Sequence, residues 1–322
     1  MPALKDMEGE YPVLDSHFLR FCASHNILTV EDFLLHDVDV LYASTKHHPN
    51  SDRLYEGITQ VMTIIKGQHR GWSSGLELLE DATRNKRVLP TGFDSVDALL
   101  GGGLREGQLT ELVGPSSSGK TQVCLKVAAS VASKCDGIVV YLDTSNSFSP
   151  NRIEHFLVSD LGSDQVLYRN EFVKKVMRCI VCHSVFDIFA MFDVLHQLEI
   201  SLRSQEHGID SRVCLLVIDS ISSLVTPVLG GNNPQGHALM VSGGFLLKKL
   251  AHEHNIAVLV TNHMVAGEGG SIRPALGESW KSVSHVRLLL TPTDHGTGAS
   301  NLCVLKHPSV GSFSYPASTY MN

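Results

Sequence analysis

Gly114-Pro115-Ser116-Ser117-Ser118-Gly119-Lys120-Thr121 matches the pattern GxxxxGKT at every specified position. A loop of this composition can turn its backbone N–H groups inward as a nest for phosphate oxygens, because glycine lets the main chain come that close. In such a loop Lys120 reaches the β- and γ-phosphates, and the hydroxyl of Thr121 takes a place on Mg²⁺. The flanks agree with this reading: residues 108–113 form an apolar strand pattern, and residues 121–132 a helical one, with Val123, Val127 and Val131 at helical spacing. Strand, loop and helix in this order predict a site for a nucleotide triphosphate and Mg²⁺ rather than a solvated Gly/Ser turn.

A second stretch bears on the same chemistry. Val213-Cys214-Leu215-Leu216-Val217-Ile218-Asp219 is six apolar residues followed by a carboxylate. At the C-terminal edge of an open parallel sheet ligands bind, and an acid there holds Mg²⁺ through its water shell. Residues 137–143 repeat the design, an apolar run ending in Asp143, as a strand buried on both faces requires. Ile188, Met191, Leu195, Leu198 and Leu202 lie on one face of a helix over 186–202, a core stripe.

Further on, 232–236 reads as a glycine-rich loop before a helix over 237–254. That helix carries Gly243-Gly244 in its middle, each costing roughly 1 kcal/mol relative to alanine, so close packing or a bend is expected. A strand over 256–260 runs into Thr261-Asn262-His263, a second loose loop covers 267–274, and short strands follow around 285–290 and 302–306.

Ahead of the α/β pattern, which starts near 89, the chain is different. Leu14, Phe18 and Phe21, then Leu54, Ile58, Val61 and Ile65, have helical spacing, and Thr29 with Asp32 marks a helix start. The division predicted is a small all-helical N-terminal domain over 1–66, a linker over 67–88 with the apolar patch Leu76, Leu78 and Leu79, and an α/β core over 89–322.

The 322 residues are 43% hydrophobic and 18% charged, ordinary for a folded chain of about two domains. A formal net charge of −7 excludes a polyanion binder working by bulk charge, so nucleic-acid contact must come from local patches or from partners. Met1-Pro2-Ala3-Leu4-Lys5-Asp6 has no apolar core of a signal peptide, and the chain is expected to be soluble, intracellular and free of membrane contact. Cysteines at 22, 124, 135, 179, 182, 214 and 303, several within apolar runs, are expected as reduced thiols. Cys179-Ile180-Val181-Cys182-His183 matches CxxCH, yet it reads as strand and no second CxxC exists, so neither haem nor zinc is expected.

With these pieces assembled, the chain resembles the RecA-like recombinases of eukaryotes from about 90 to 290. The residues that carry the resemblance are Thr91-Gly92-Phe93, Gly101-Gly102-Gly103-Leu104, 111–122, Tyr141-Leu142-Asp143-Thr144, Leu216-Val217-Ile218-Asp219-Ser220 and Val260-Thr261-Asn262. Within that family it is most similar to the D-type paralogue group, with plant-like stretches at 33–37 and 251–254. The resemblance implies a RecA-like P-loop ATPase core with a mostly parallel central sheet, and an N-terminal module like a helix-hairpin-helix. It further implies a nuclear role in homologous-recombination repair, in a hetero-oligomer of recombinase paralogues that assists loading on single-stranded DNA.

Loops around 229–236 and 264–274 stand where family members face DNA, yet they hold Arg273 as their fixed positive charge and no aromatic stacking platform. Two departures concern catalysis. Active members carry a glutamate that orients the attacking water where this chain has Ser145, and a γ-phosphate-sensing glutamine where it has His263. The resemblance therefore implies a catalytic Lys120 in a weak DNA-stimulated ATPase at most, with Glu111 or a residue from a neighbouring subunit replacing the missing glutamate. The alternative is an ATP-gated structural adaptor with little hydrolysis or DNA contact of its own.

Overall fold

The computed structural model describes residues 4–7, 11–46, 48, 50–68, 74–84, 86–135, 137–160, 169–204, 212–230, 234–267, 272–292, 299–308 and 317–320. Two compact units divide the chain, Met1–Glu80 and Asp81–Asn322.

In the first unit the helices Ser16–Ser24, Val30–Leu35, Val38–Thr45 and Ser51–Gln68 enclose a cluster that includes Phe18, Phe21, Phe33, Leu54, Ile58 and Val61. The start of the second helix is fixed as its sequence predicts. Thr29 Oγ1 accepts the Asp32 N–H at 3.1 Å, and the Asp32 carboxylate accepts the Thr29 N–H at 2.9 Å. Within 67–88, expected as linker, the structure has a helix, Gly75–Arg84, that crosses the boundary between the units. Its start is a reciprocal cap between Ser74 and Glu77, a Ser-x-x-Glu signal that the sequence reading passed over. Leu76, Leu78 and Leu79 on it are exposed. Residues 69–73 lie outside the described ones.

The second unit is built on eleven described strands. A ribbon pairs β1 (Val88–Leu89) with β2 (Leu104–Arg105). The main sheet contains β3 (Leu109–Gly114), β4 (Ile138–Asp143), β5 (Ile180–Ser184), β6 (Val213–Asp219), β7 (Ala257–Ala266), β8 (Ile272–Pro274), β9 (Val286–Pro292), β10 (Ala299–Lys306) and β11 (Ala317–Tyr320). Its order is β11-β10-β9-β3-β7-β6-β4-β5, with β8 added to β7. Five of its pairings are parallel (β3 with β7 and β9, β4 with β5 and β6, β6 with β7), so the sheet is mostly parallel as expected.

Both faces are covered, which is why the central strands are apolar without alternation. On β6, Cys214, Leu215 and Val217 belong to a cluster packed with the helix Lys120–Lys134, while Val213, Leu216 and Ile218 belong to one packed with Ile188–Ser204 and Pro234–His254. The last helix starts at Pro234, three residues before the predicted position, since proline fits a first helical turn. Close packing explains Gly244 within it: an added Cβ would stand 2.8 Å from Val283 and 3.2 Å from Trp280.

Of the loop predicted over 267–274, residues Ile272–Pro274 form a strand. β7 continues to Ala266 and pairs antiparallel with β8, Val265 opposite Arg273. The tips of both candidate DNA-facing loops, 231–233 and 268–271, lie outside the described residues. No described helix is long and apolar enough to cross a membrane. Burial pushes the Cys22 and Cys214 thiols up to about 12.

His285 has a structural task its sequence context did not suggest. It clamps the start of β3, donating its own N–H to the Leu109 carbonyl and accepting the Leu109 N–H at Nδ1, both at 2.9 Å. Burial, helped by Lys248, Lys306 and His252, pushes its pKa down to about 4.

Two outcomes follow. Gly244→Ala lowers stability by about 1–3 kcal/mol through overpacking against Val283, read as a shift of the urea midpoint at constant slope. The unfolded chain takes up a proton at position 285 before the folded chain does, so stability declines as pH falls from about 6.5 to about 4. In His285→Gln, melting temperatures across that window lose part of this slope.

Candidate nucleotide site

The phosphate-loop sequence forms the turn its glycines permit. Gly114 closes β3 where an added Cβ would meet the Leu290 carbonyl at 2.5 Å and Ser118 Oγ at 2.6 Å. Ser117 and Gly119 have φ of 61° and 91°, the left-handed region, and the helix Lys120–Lys134 starts at once. Its free N–H groups and the positive end of its dipole are directed to the loop, as an anion site requires. Ser300 Oγ on β10 donates to the Ser118 carbonyl at 3.1 Å and holds the loop from behind.

Lys120 is buried, and its ammonium donates to the carbonyls of Gly114 (2.8 Å) and Pro115 (2.7 Å). Burial lowers its pKa, and the Asp219 carboxylate opposes that shift. Asp219, at the end of β6, is buried and accepts hydroxyls from three elements: Thr121 at 2.6 Å, Tyr141 at 3.2 Å, and Thr261 in a very short bond. Burial raises the Tyr141 pKa well above the ordinary value, so the phenol stays a donor. The Asp219 carbonyl accepts the N–H and hydroxyl of Thr144, the residue after β4. Thr121 and Asp219, read separately from sequence as metal-binding residues, are thus hydrogen-bonded to each other. Tyr141, Thr144 and Thr261 stand in the stretches that carry the family resemblance, but sequence alone assigns them no role of their own; a hydroxyl residue near the end of an apolar run is a weak signal for a partner of a buried acid.

Beside these groups a cavity of about 430 Å³ opens. Ser116, Ser117, Gly119, Lys120 and Thr121 line it from the loop, and Ser145, Asp219, Ser220, Ser223 and His263 from the sheet edge. Among its lining residues Asp219 is the only carboxylate. Ser145 sits where the missing glutamate was expected, and its Oγ donates to Ser147 Oγ at 3.0 Å. Asp143 accepts the N–H groups of Ser145, Ser147 and Phe148, so it shapes this turn. His263 is part-buried; burial, then Lys120, lower its pKa, with Asp219 acting against them.

Glu111 does not serve as the substitute acid. It is fully buried away from the cavity lining, accepting Arg287 Nε and Asn262 Nδ2, each at 2.8 Å. Arg273 lies on β8 and is exposed, outside the cavity lining. Cys182 and His183 are adjacent on β5, so they point to opposite faces, and no metal cluster of three or more ligands exists among the described residues.

The residues fit a triphosphate and its metal. The loop closes on a backbone that a side chain would block, a buried cation and a buried carboxylate face the same cavity, and Ser118 Oγ is a buried hydroxyl with no partner among the described residues.

A mostly parallel sheet with this loop after one strand and a buried acid on another defines a phosphate-loop α/β protein of RecA-like architecture. A family model described as Rad51 matches residues 84–306, and the chain belongs to the Rad51 family. It is 33% identical over 305 residues to DNA repair protein RAD51 homolog 4 of Bos taurus, covering 93% of this chain and 90% of that one. To the protein of the same name in Mus musculus it is 34% identical over 306 residues, covering 93% and 89%. Probable DNA repair protein RAD51 homolog 4 of Dictyostelium discoideum is 27% identical over 267 residues, covering 72% and 75%. These names number the paralogue as 4; none carries the D-type letter.

Proposed function

We propose that this chain is an ATP- and Mg²⁺-binding recombinase paralogue acting in homologous-recombination DNA repair. The observation that carries the reading is the shared cavity, with Lys120 on one side and the Thr121–Asp219 pair on the other. The loop N–H groups and Lys120 would hold the phosphates, and Thr121 and Asp219 would hold Mg²⁺. When bound, the ion neutralises charge on the β- and γ-phosphate oxygens. Relatives named as DNA repair proteins, aligned over nine-tenths of the chain, support the biological setting.

In this reading the protein works in the nucleus as one subunit of a hetero-oligomer with other recombinase paralogues, and assists loading on single-stranded DNA. The helical first unit acts as a helix-hairpin-helix-like module for DNA or partners. The D-type placement within the family rests on the resemblance alone, with plant-like stretches at 33–37 and 251–254. DNA contact is weak or shared, because Arg273 is the fixed charge of the candidate loops and the net charge is −7.

A second reading is favoured by the carboxylate count. With Asp219 as the sole acid lining the cavity, the chain is an ATP-gated adaptor in which nucleotide stiffens an interface and turnover is incidental. General-base assistance is typically worth about 10²–10⁴-fold, which is the deficit a serine at 145 leaves.

Lys120→Ala abolishes ATP binding, measured by equilibrium titration, and leaves the circular dichroism spectrum unchanged; unaltered affinity would refute the loop assignment. Ser145→Glu raises single-turnover hydrolysis at least about tenfold. No gain there would favour the adaptor, and co-purification of partners with and without ATP reads the gating directly.

A further inference from the structure

We propose that the outer face of the helix Pro234–His254, with the turn 281–285 packed beside it, is this chain's own surface for single-stranded DNA. The inference rests on the DNA-repair reading above and assigns the chain's share of the contact to a place outside the candidate loops. Phe245, Lys248, Lys249 and His252 stand at i, i+3, i+4 and i+7, so their side chains form one stripe along the helix. Phe245 is 65% exposed, Lys249 and His252 are exposed, and Lys248 is half-buried.

Packing brings further cations to this stripe. Gly244 has no side chain where Trp280 and Val283 approach, and so the short helix Gly277–Lys281 and the turn after it lie against the longer helix. Lys248 Nζ donates to the Ser282 carbonyl at 3.5 Å. From β10, Lys306 Nζ donates to the carbonyls of Lys281 at 2.9 Å and Ser284 at 2.5 Å. Lys248, Lys281 and Lys306 thus meet on one turn, at the sheet edge where β7 and β9 begin, opposite the nucleotide cavity.

Helix ends attract cations through the macrodipole, and Lys306 caps the carbonyls of its turn. Neither effect balances the charge gathered here. Lys281 has Glu278 at 3.2 Å and Lys249 has Glu199 at 2.9 Å, whereas no described carboxylate forms an ion pair with Lys248 or Lys306. Burial, then Arg287 and Lys248, lower the Lys306 pKa, with Glu111 acting against them, and a bound anion relieves such crowding. An exposed ring alone carries nothing. Set among cations, Phe245 supplies the flat face on which a base stacks, which the loops around 229–236 and 264–274 lack. Stacking needs unpaired bases, so the surface fits a single strand rather than a duplex, and an acidic peptide would use the cations alone.

The test uses the full chain without nucleotide, following fluorescence anisotropy of a dye-labelled oligothymidylate over a range of salt concentrations. Wild-type affinity is expected to fall with salt, and Lys248→Gln and Lys281→Gln each to lower the slope of log affinity against log salt by about 0.7. Phe245→Ala is expected to weaken binding at least about fivefold at every salt concentration. ATP affinity and melting temperature stay unchanged in that variant, because the ring is exposed. Loss of binding in Arg273→Gln, with the other three variants unaffected, would move the contact to the loops; it would overturn this surface and leave the DNA reading standing. Duplex DNA or polyglutamate binding as tightly as the oligothymidylate, and indifferent to Phe245→Ala, would mark a general polyanion patch and overturn the proposal too. No binding by the wild-type chain at low salt would remove any DNA contact of its own and leave the ATP reading untouched.

Discussion

A buried carboxylate has to be partnered, and the arrangement of the second unit's catalytic edge follows from how Asp219 meets that demand. Leaving a charged group in a low-dielectric interior without hydrogen bonds costs far more than any single contact contributes. Asp219 collects hydroxyls from the loop helix, from β4 and from β7, which come from positions 121, 141 and 261. Each of those elements is thereby fixed relative to the end of β6. The phosphate loop is tied to the end of β6 through Thr121 at the start of the helix that follows it.

The same economy separates two acids that sequence alone could not tell apart. Asp219 and Glu111 both end up buried among apolar strand residues. Glu111 accepts Arg287 and Asn262, joining β3, β9 and β7, and does not line the cavity. Asp219 lines the cavity itself, so only one of the two is chemically available. This leaves a site well equipped to bind phosphate and short of proton acceptors.

The parts of the fold that were legible were those fixed locally. An apolar run of six or seven residues ending in an acid can be little else than a strand covered on both sides, and 138–143 and 213–219 are that. The loop at 114–121 was legible because glycine and lysine have few substitutes in that role. What stayed hidden depends on partners far along the chain. His285 clamps Leu109 across 176 positions, and Thr261 meets Asp219 across 42; no window of sequence contains either pair. The β7–β8 hairpin was missed for another reason: its glycine-rich tip reads as loop and conceals the short pairing on each side. The helix at 75–84 was missed although its signal was local, because glycines around it outweighed a Ser-x-x-Glu start.

That helix bears on how the protein can be dissected. The seam between the two units falls at Glu80 and Asp81, inside a continuous run of helical backbone that begins with the Ser74–Glu77 cap. A truncation placed at the seam would strip the remaining turn of its cap and expose unpaired N–H groups at a new terminus. Fragments designed to separate the halves keep this helix and its cap intact when the cut falls outside Ser74–Arg84.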